Sequence, residues 1–324
     1  MEIAVPGGPE VLSVTDAPEP VPGPGEVLIE VAGAGVNNAD LLQRAGHYAP
    51  PAGAPAWPGL EVSGRVVAVG QGTRAPLPAV GSLVVALLDG GGYAERVAVP
   101  IGQVLPAPQG VDLIDAAALP EAACTVWSTL VTAAGLRDGE WLLVHGGSGG
   151  IGTLAVQIGV ALGARVATTA GGPARAERCR ALGAQVVVDH RSEDFVARML
   201  EATDGHGADV VLDVIGGAYL QRNVDVLASG GRLAVIGLQK GRRGELDLGA
   251  LLAKRATILA TTLRSRPAHE KAAIVAAVGE HVWPMVADGR VRPVVHDRLP
   301  LAQARRAHEL MAQGAVFGKL VLVP

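Results

Sequence analysis

Trp141-Leu142-Leu143-Val144-His145-Gly146-Gly147-Ser148-Gly149-Gly150-Ile151-Gly152 leads from a short apolar run into a glycine-rich turn, and residues 151–162 beyond it have helical character without proline. A buried strand, a tight turn and a helix follow from that order of residues. In this setting Gly147, Gly149 and Gly152 fit the G-x-G-x-x-G fingerprint of a dinucleotide site. The glycines let the backbone turn sharply and approach a pyrophosphate, and the helix offers it a positive end. Without the strand and the helix, the same glycines would mark only a tight turn in any α/β protein.

The 324 residues suffice for a full core and divide more naturally into two domains than one. Although 49% of them are apolar, Arg, Gln, Glu or Asp interrupts every long apolar run, so no membrane span is expected. With 27 basic and 31 acidic side chains mixed along the chain, there is no basic patch to follow a phosphate backbone, and nucleic acid is not an expected partner. Cys124 and Cys179 are the only cysteines, far apart and outside any metal-ligating pattern, as in a reduced intracellular chain. Met1-Glu2-Ile3-Ala4-Val5-Pro6 lacks the basic and apolar segments of a signal peptide. A cytoplasmic location is the expectation.

Upstream of the glycine turn, residues 1–119 carry short apolar runs (27–31, 64–69, 83–87 and 95–99) punctuated by Pro and Gly, the texture of a compact, mostly β domain. Residues 120–262 alternate strands with helical stretches, which predicts βαβ units and a doubly wound parallel sheet of the Rossmann type. Its strands are expected at 141–145, 165–170, 186–189, 210–214, 232–236 and 257–262. Residues 263–324 return to strand-and-turn texture: a charged helical stretch (269–288), a Val-rich segment (292–295), a second helix (301–313) and a strand (319–323). This tail is expected to complete the N-terminal domain.

Choice between the two nicotinamide cofactors falls at the end of the second strand, where a carboxylate would hold a ribose 2′-hydroxyl. Here that end reads Ala167-Thr168-Thr169-Ala170-Gly171-Gly172-Pro173-Ala174-Arg175, with no carboxylate. Small residues leave room for a 2′-phosphate and Arg175 can meet it with a charge-assisted hydrogen bond, which points to NADPH. The alternative is that Arg175 is a solvated first-turn residue. A zinc centre needs clustered Cys and His ligands; Cys124 stands alone and no H-E-x-x-H occurs, so no metal is expected.

Ordered blocks along nearly the whole chain carry a resemblance. They are Pro6-Gly7-Gly8-Pro9-Glu10-Val11-Leu12, the stretch Gly35-Val36-Asn37-Asn38-Ala39-Asp40 continuing to Gly46-His47-Tyr48, Pro58-Gly59-Leu60-Glu61-Val62-Ser63-Gly64, and Leu119-Pro120-Glu121-Ala122. After the glycine turn follow Asp213-Val214-Ile215-Gly216-Gly217, Leu263-Arg264-Ser265-Arg266 and Gly318-Lys319-Leu320-Val321-Leu322. The chain resembles the medium-chain dehydrogenase/reductase superfamily, within it the zinc-free quinone oxidoreductases of the zeta-crystallin type, and most nearly the branch of the tumour-suppressor-inducible quinone reductase. Zinc-dependent relatives have a Cys where this chain has Asn37 and a His where it has Leu60. The resemblance implies a GroES-like catalytic domain made of residues 1–119 and 263–324, a Rossmann domain between them, NADPH in the cleft, and a homodimer.

Carried over by position, the resemblance implies that Asn37 and Tyr48 lie beside the nicotinamide and that Thr125 touches it. Gly149, Gly150, Ile151 and Gly152 would hold the pyrophosphate; Gly172 and Arg175 would bind the 2′-phosphate; Leu238, Leu263, Arg264 and Lys319 would close over the cofactor. His190 stands where many relatives have a Tyr beside the adenosine ribose, and Gly172 where the usual residue is Ser. The activity implied is hydride transfer to a quinone. Reduction of α,β-unsaturated ketones, or cofactor binding with little turnover, are the alternatives. Hydride delivered to a quinone or enone leaves charge on oxygen. Tyr48, a phenol protonated at neutral pH, is expected either to donate to that oxygen or to pack against the cleft wall. Asn37 can hold a ribose hydroxyl or a substrate carbonyl. His145, Asp40, Asp213 and Cys124 read as structural residues. The strand at 257–262, last in its sheet, would present an open edge for a second copy of the chain.

Overall fold

The computed structural model describes residues 1–72 and 78–324. They divide into two units, Met1–Cys124 with Leu263–Pro324, and Thr125–Thr262. Residues 120–124, which the sequence texture joins to the second unit, group with the first. They lie on the helix Pro120–Val126, and the Glu121 amide donates to Glu61 Oε2 at 2.8 Å.

In the first unit, the strands order as Val295–Pro300, Lys319–Val323, Glu26–Gly35, Glu61–Val69, Leu83–Leu87 and Val104–Pro106, with Arg96–Pro100 also paired to Glu26–Gly35. The tail thus completes this sheet: Lys319–Val323 pairs antiparallel with Glu26–Gly35, setting Val321 opposite Gly35. Val27, Ile29, Val62, Val66, Val84, Val97, Leu320 and Leu322 form the core of one face. The strand Val295–Pro300 extends beyond the Val-rich segment because it pairs in parallel with Lys319–Val323, a partner that periodicity does not reveal. The helical stretch at 269–288 is two helices, Ala268–His281 and Trp283–Ala287. Pro284 lacks an amide hydrogen and its ring clashes with the carbonyl one turn back, so it sits in the first turn of a new helix.

In the second unit, six parallel strands run in the order Val186–Asp189, Arg165–Ala170, Trp141–Val144, Ala208–Asp213, Leu227–Val235 and Thr257–Ala260. The order reverses between Trp141–Val144 and Ala208–Asp213, and ligands of such sheets bind beyond the strands' carboxyl ends at that switch point. Trp141–Val144 is buried at every residue, which explains its unbroken apolar sequence: helices cover both faces of a central parallel strand. Its carboxyl end feeds the glycine turn and then the helix Gly150–Ala161. Thr257–Ala260 is an edge strand of this sheet. No helix among the described residues is long and apolar enough to cross a membrane.

Candidate active site

The glycine turn of the second unit is fixed from below by His145. Its Nε2 lies 2.7 Å from Asn223 Oδ1 and its Nδ1 3.3 Å from Thr169 Oγ1, while the Gly146 amide donates to that same hydroxyl oxygen at 3.0 Å. One assignment satisfies these contacts. His145 is neutral, Nε2–H donates to Asn223, and the Thr169 hydroxyl donates to Nδ1. Burial supports it, holding the imidazole down at about 4. His145 therefore anchors the turn.

Two glycines of the turn are sterically required. A Cβ on Gly152 would overlap the Gly146 carbonyl oxygen and lie 2.7 Å from Gly147 Cα; one on Gly147 would overlap the Thr168 hydroxyl. Gly149 precedes the first turn of the helix and is exposed, so the amides of Gly150, Ile151 and Gly152 form a bare helix start. That is the geometry of an anion cradle.

At the end of the second strand, Gly172 takes φ +83° before the helix Pro173–Ala181, whose first turn carries Arg175. The parallel register that pairs Asp189 with Ala170 brings the next two residues alongside the glycines. A Cβ on Gly171 would lie 3.0 Å from Arg191 Nε and 3.2 Å from His190 Nε2, and one on Gly172 3.7 Å from an Arg191 terminal nitrogen. The sequence points to His190 at this corner but not to Arg191, which only the strand register brings there. The Asp189 carboxylate also stands at this corner: its Oδ1 accepts the Arg191 amide at 3.1 Å, and the Arg191 and Gly172 amides together hold its carboxyl below the ordinary range. Leu238 is exposed, on a loop tied down by Gln239 N–H to Val214 O (3.1 Å) and Lys240 N–H to Ile215 O (2.8 Å). Thr125 closes the helix Pro120–Val126, and its carbonyl accepts from Ser128 Oγ at 3.3 Å.

The first unit holds a second constellation. Asn37 precedes the helix Asn38–Arg44, and its Oδ1 accepts from Lys319 Nζ at 2.5 Å. Its Nδ2 donates to Glu61 Oε1 at 2.9 Å and, more weakly, to Gly35 O at 3.4 Å. Lys319 and Glu61 also form an ion pair, with side chains 5% and 0% exposed. Because an ammonium only donates and a carboxylate only accepts, the amide of Asn37 has one orientation. Both its N–H groups are spent. What remains is an acceptor lone pair, suited to a hydroxyl and not to a substrate carbonyl.

Asp40 sits behind this group, taking the Asn37 and Gly59 amides on its two carboxylate oxygens. Burial raises its carboxyl to about 6, against the pull of Lys319 and Arg264. The same two cations thus act on one carboxylate, which brings Asn37, Lys319 and Arg264 into one neighbourhood. Arg264 in turn lies over the ring of Tyr48, 5.5 Å from its centroid. Tyr48 is half-buried, and burial and then Glu121 push its phenol above 10, with Arg264 opposing. It stays protonated, as a donor must. Leu263 is buried next to Arg264. Cys124 is buried, and that burial holds its thiol well above the ordinary range. Among the described residues, no three His, Cys, Asp or Glu side chains are grouped to hold a metal ion.

Comparison with known proteins bears on both constellations. Residues 23–109 match the alcohol dehydrogenase GroES-like domain, and residues 150–278 match the zinc-binding dehydrogenase family. The quinone oxidoreductase of Pseudomonas aeruginosa is 32% identical over 327 aligned residues, covering 100% of this chain and 99% of that protein. The chain belongs to the medium-chain dehydrogenase/reductase superfamily, as a quinone oxidoreductase-type member. A phenolphthiocerol/phthiocerol polyketide synthase protein of Mycobacterium tuberculosis is 34% identical over 99% of the chain, which spans only 14% of that relative's length. Two solved structures share the fold over 99% of this chain and 98% of theirs. Escherichia coli quinone oxidoreductase complexed with NADPH has a TM-score of 0.88 at 28% identity, and the CurK enoyl reductase 0.86 at 26%. As a member of this superfamily the protein is an oxidoreductase with a Rossmann sheet and a GroES-like domain.

Proposed function

We propose that this oxidoreductase transfers hydride from NADPH to a quinone. The observation that carries the cofactor half is the glycine cradle: bare helix-start amides at residues 150–152, with Gly147 and Gly152 allowing no side chain. Arg191 and His190 beside Gly171 and Gly172 fit a 2′-phosphate, with Arg175 on the adjoining helix turn. The NADPH complex of the Escherichia coli relative supports the same assignment. NADPH, when bound, supplies the hydride. Pyrophosphate falls to Gly149, Gly150, Ile151 and Gly152, while Thr125, Leu238, Leu263 and Lys319 complete the cofactor's surroundings. Asn37, with an acceptor lone pair left, takes a ribose hydroxyl. Tyr48 donates its hydroxyl to the oxygen on which charge develops, a contribution of about 3 kcal/mol for a well-placed donor.

Reduction of α,β-unsaturated ketones is the second reading, favoured by the likeness to the CurK enoyl reductase. Both acceptors end with charge on oxygen and ask the same of Tyr48. A panel of benzoquinones, 9,10-phenanthrenequinone and enones, followed by loss of NADPH absorbance, separates them; consumption with enones alone would replace the quinone reading. For the cofactor, Arg191→Ala and Arg175→Ala are expected to weaken NADPH by roughly tenfold or more each, while leaving NADH nearly unchanged. Equal losses for both cofactors would remove the 2′-phosphate site. The protein acts as a homodimer in this proposal, joined through the edge strand Thr257–Ala260. The exposed Leu248 (63%) and Leu252 (76%) lie on the preceding helix.

A further inference from the structure

The buried guanidinium of Arg264 forms no ion pair with any of the described residues. Arg264 is 4% exposed, and its Nε donates to the Asp89 carbonyl oxygen at 2.7 Å, which fixes the plane of the guanidinium. Its two terminal nitrogens are buried and have no hydrogen-bond partner among the described residues. The adjacent carboxylate, that of Asp89, is taken by the ammonium of Lys271, itself 3% exposed and also bonded to the Arg264 carbonyl at 3.3 Å. Asp40 feels the charge of Arg264 but spends its oxygens on the Asn37 and Gly59 amides and the Tyr93 hydroxyl. Gly90 packs its bare backbone against the guanidinium: at φ +156°, a Cβ there would lie 3.3 Å from an Arg264 terminal nitrogen and 2.9 Å from the Pro55 carbonyl oxygen. A guanidinium held in plane, stacked over Tyr48 and stripped of acceptors is destabilising by itself. It becomes favourable when an anionic oxygen arrives.

We infer that Arg264 is a catalytic residue, whose two terminal nitrogens receive the negatively charged oxygen formed on the acceptor, beside the hydroxyl of Tyr48. This rests on the hydride-transfer reading. In the step, the hydride's electron pair enters the conjugated acceptor and a carbonyl π pair moves onto oxygen. NADPH is oxidised to NADP⁺, the acceptor is reduced to a quinol monoanion or an enolate, and the oxyanion then takes a proton from water. Arg264 supplies two charged donors at the point where the new charge appears, and the Tyr48 ring keeps them there. A cofactor phosphate is the less fitting ligand, since the helix start at residues 150–152 already serves that group.

The test needs no turnover. With NADP⁺ bound, 4-nitrophenol mimics the quinol monoanion, and its ionisation is read from the absorbance of the phenolate. In the wild-type protein the bound phenol is expected to ionise at a pH lower by about one unit or more than in free solution, a tenfold preference for the anion. Arg264→Met is expected to abolish that shift, and Arg264→Lys, which keeps the charge but not the fork, to retain part of it. Failure of 4-nitrophenol to bind the wild type, or the same ionisation in wild type and Arg264→Met, overturns the inference. So does a loss of NADPH affinity in Arg264→Met, measured by fluorescence titration, with the phenol shift intact; that result assigns the guanidinium to the cofactor. Circular dichroism identifies a variant that fails to fold, in which case Arg264→Lys decides by the same two readouts. A wild type that shows the shift yet oxidises no NADPH with any acceptor would overturn the hydride reading, and the catalytic role with it, separately from the anion site.

Discussion

At the residue scale, the ion pair of Lys319 and Glu61 decides what Asn37 can do. Each is buried, so removing one strands the other: Lys319→Met is expected to lower stability by about 3–5 kcal/mol, read from a denaturant midpoint. The double variant Lys319→Met/Glu61→Gln should recover part of that loss; additive losses would show that the pair is not coupled. Tyr48→Phe is expected to lower kcat by roughly a hundredfold with a smaller change in KM, and unchanged turnover would reduce Tyr48 to a packing residue. The sequence names Asn37, Tyr48, Arg264 and Lys319 through family position, yet Glu61 passes there as one residue of a motif. Its role comes from strand pairing, which brings Lys319 and Asn37 to it from opposite ends of the chain. Arg191 is hidden for the same reason, because only the register of two parallel strands places it over Gly171.

Among the elements, the glycine turn was legible because its requirement is local: sharp backbone, no side chain, helix behind. Gly152→Ala would drive a methyl into the Gly146 carbonyl and is expected to weaken NADPH binding more than a hundredfold; retained binding would mean that the turn is not the cradle. The chain of contacts between the helices Asn38–Arg44 and Ala304–Ala312 was not legible, since its members are far apart in sequence. Arg44 donates to His308 Nδ1 (3.3 Å), His308 Nε2–H to the Tyr93 oxygen (3.1 Å), and the Tyr93 hydroxyl to Asp40 (3.3 Å). Arg44 can only donate, so His308 must be neutral with its proton on Nε2. Burial holds His308 at about 3 and His145 at about 4, below the ordinary 6.5, so the unfolded chain binds more protons and stability falls as pH drops below 6.5. Asp40, held at about 6 against 3.8, works the other way, stabilising at low pH and losing that as pH rises through about 6. The two histidine displacements together exceed that of Asp40. Denaturant titrations between about pH 7 and pH 5 are expected to show decreasing stability, with a flatter slope in His308→Gln; increasing stability would contradict this assignment.

For the whole molecule, the division into a β-rich unit and a parallel α/β unit is visible in the sequence as a change of texture, because sheets with one wet face alternate while doubly covered parallel strands do not. Edge pairings such as Val295–Pro300 with Lys319–Val323 were invisible, being set by a partner rather than by local pattern. The open edge at Thr257–Ala260 predicts a light-scattering mass twice that of the chain, and a monomer at micromolar concentration would reject the proposed dimer. The roles proposed for Tyr48 and Arg264 both depend on hydride transfer from NADPH. Stopped-flow mixing of the NADPH complex with 9,10-phenanthrenequinone, repeated with NADPH deuterated at the transferring position, tests it most directly. A single-turnover loss of NADPH absorbance that slows severalfold with deuterium is the predicted result; no loss with this quinone or any enone would contradict it.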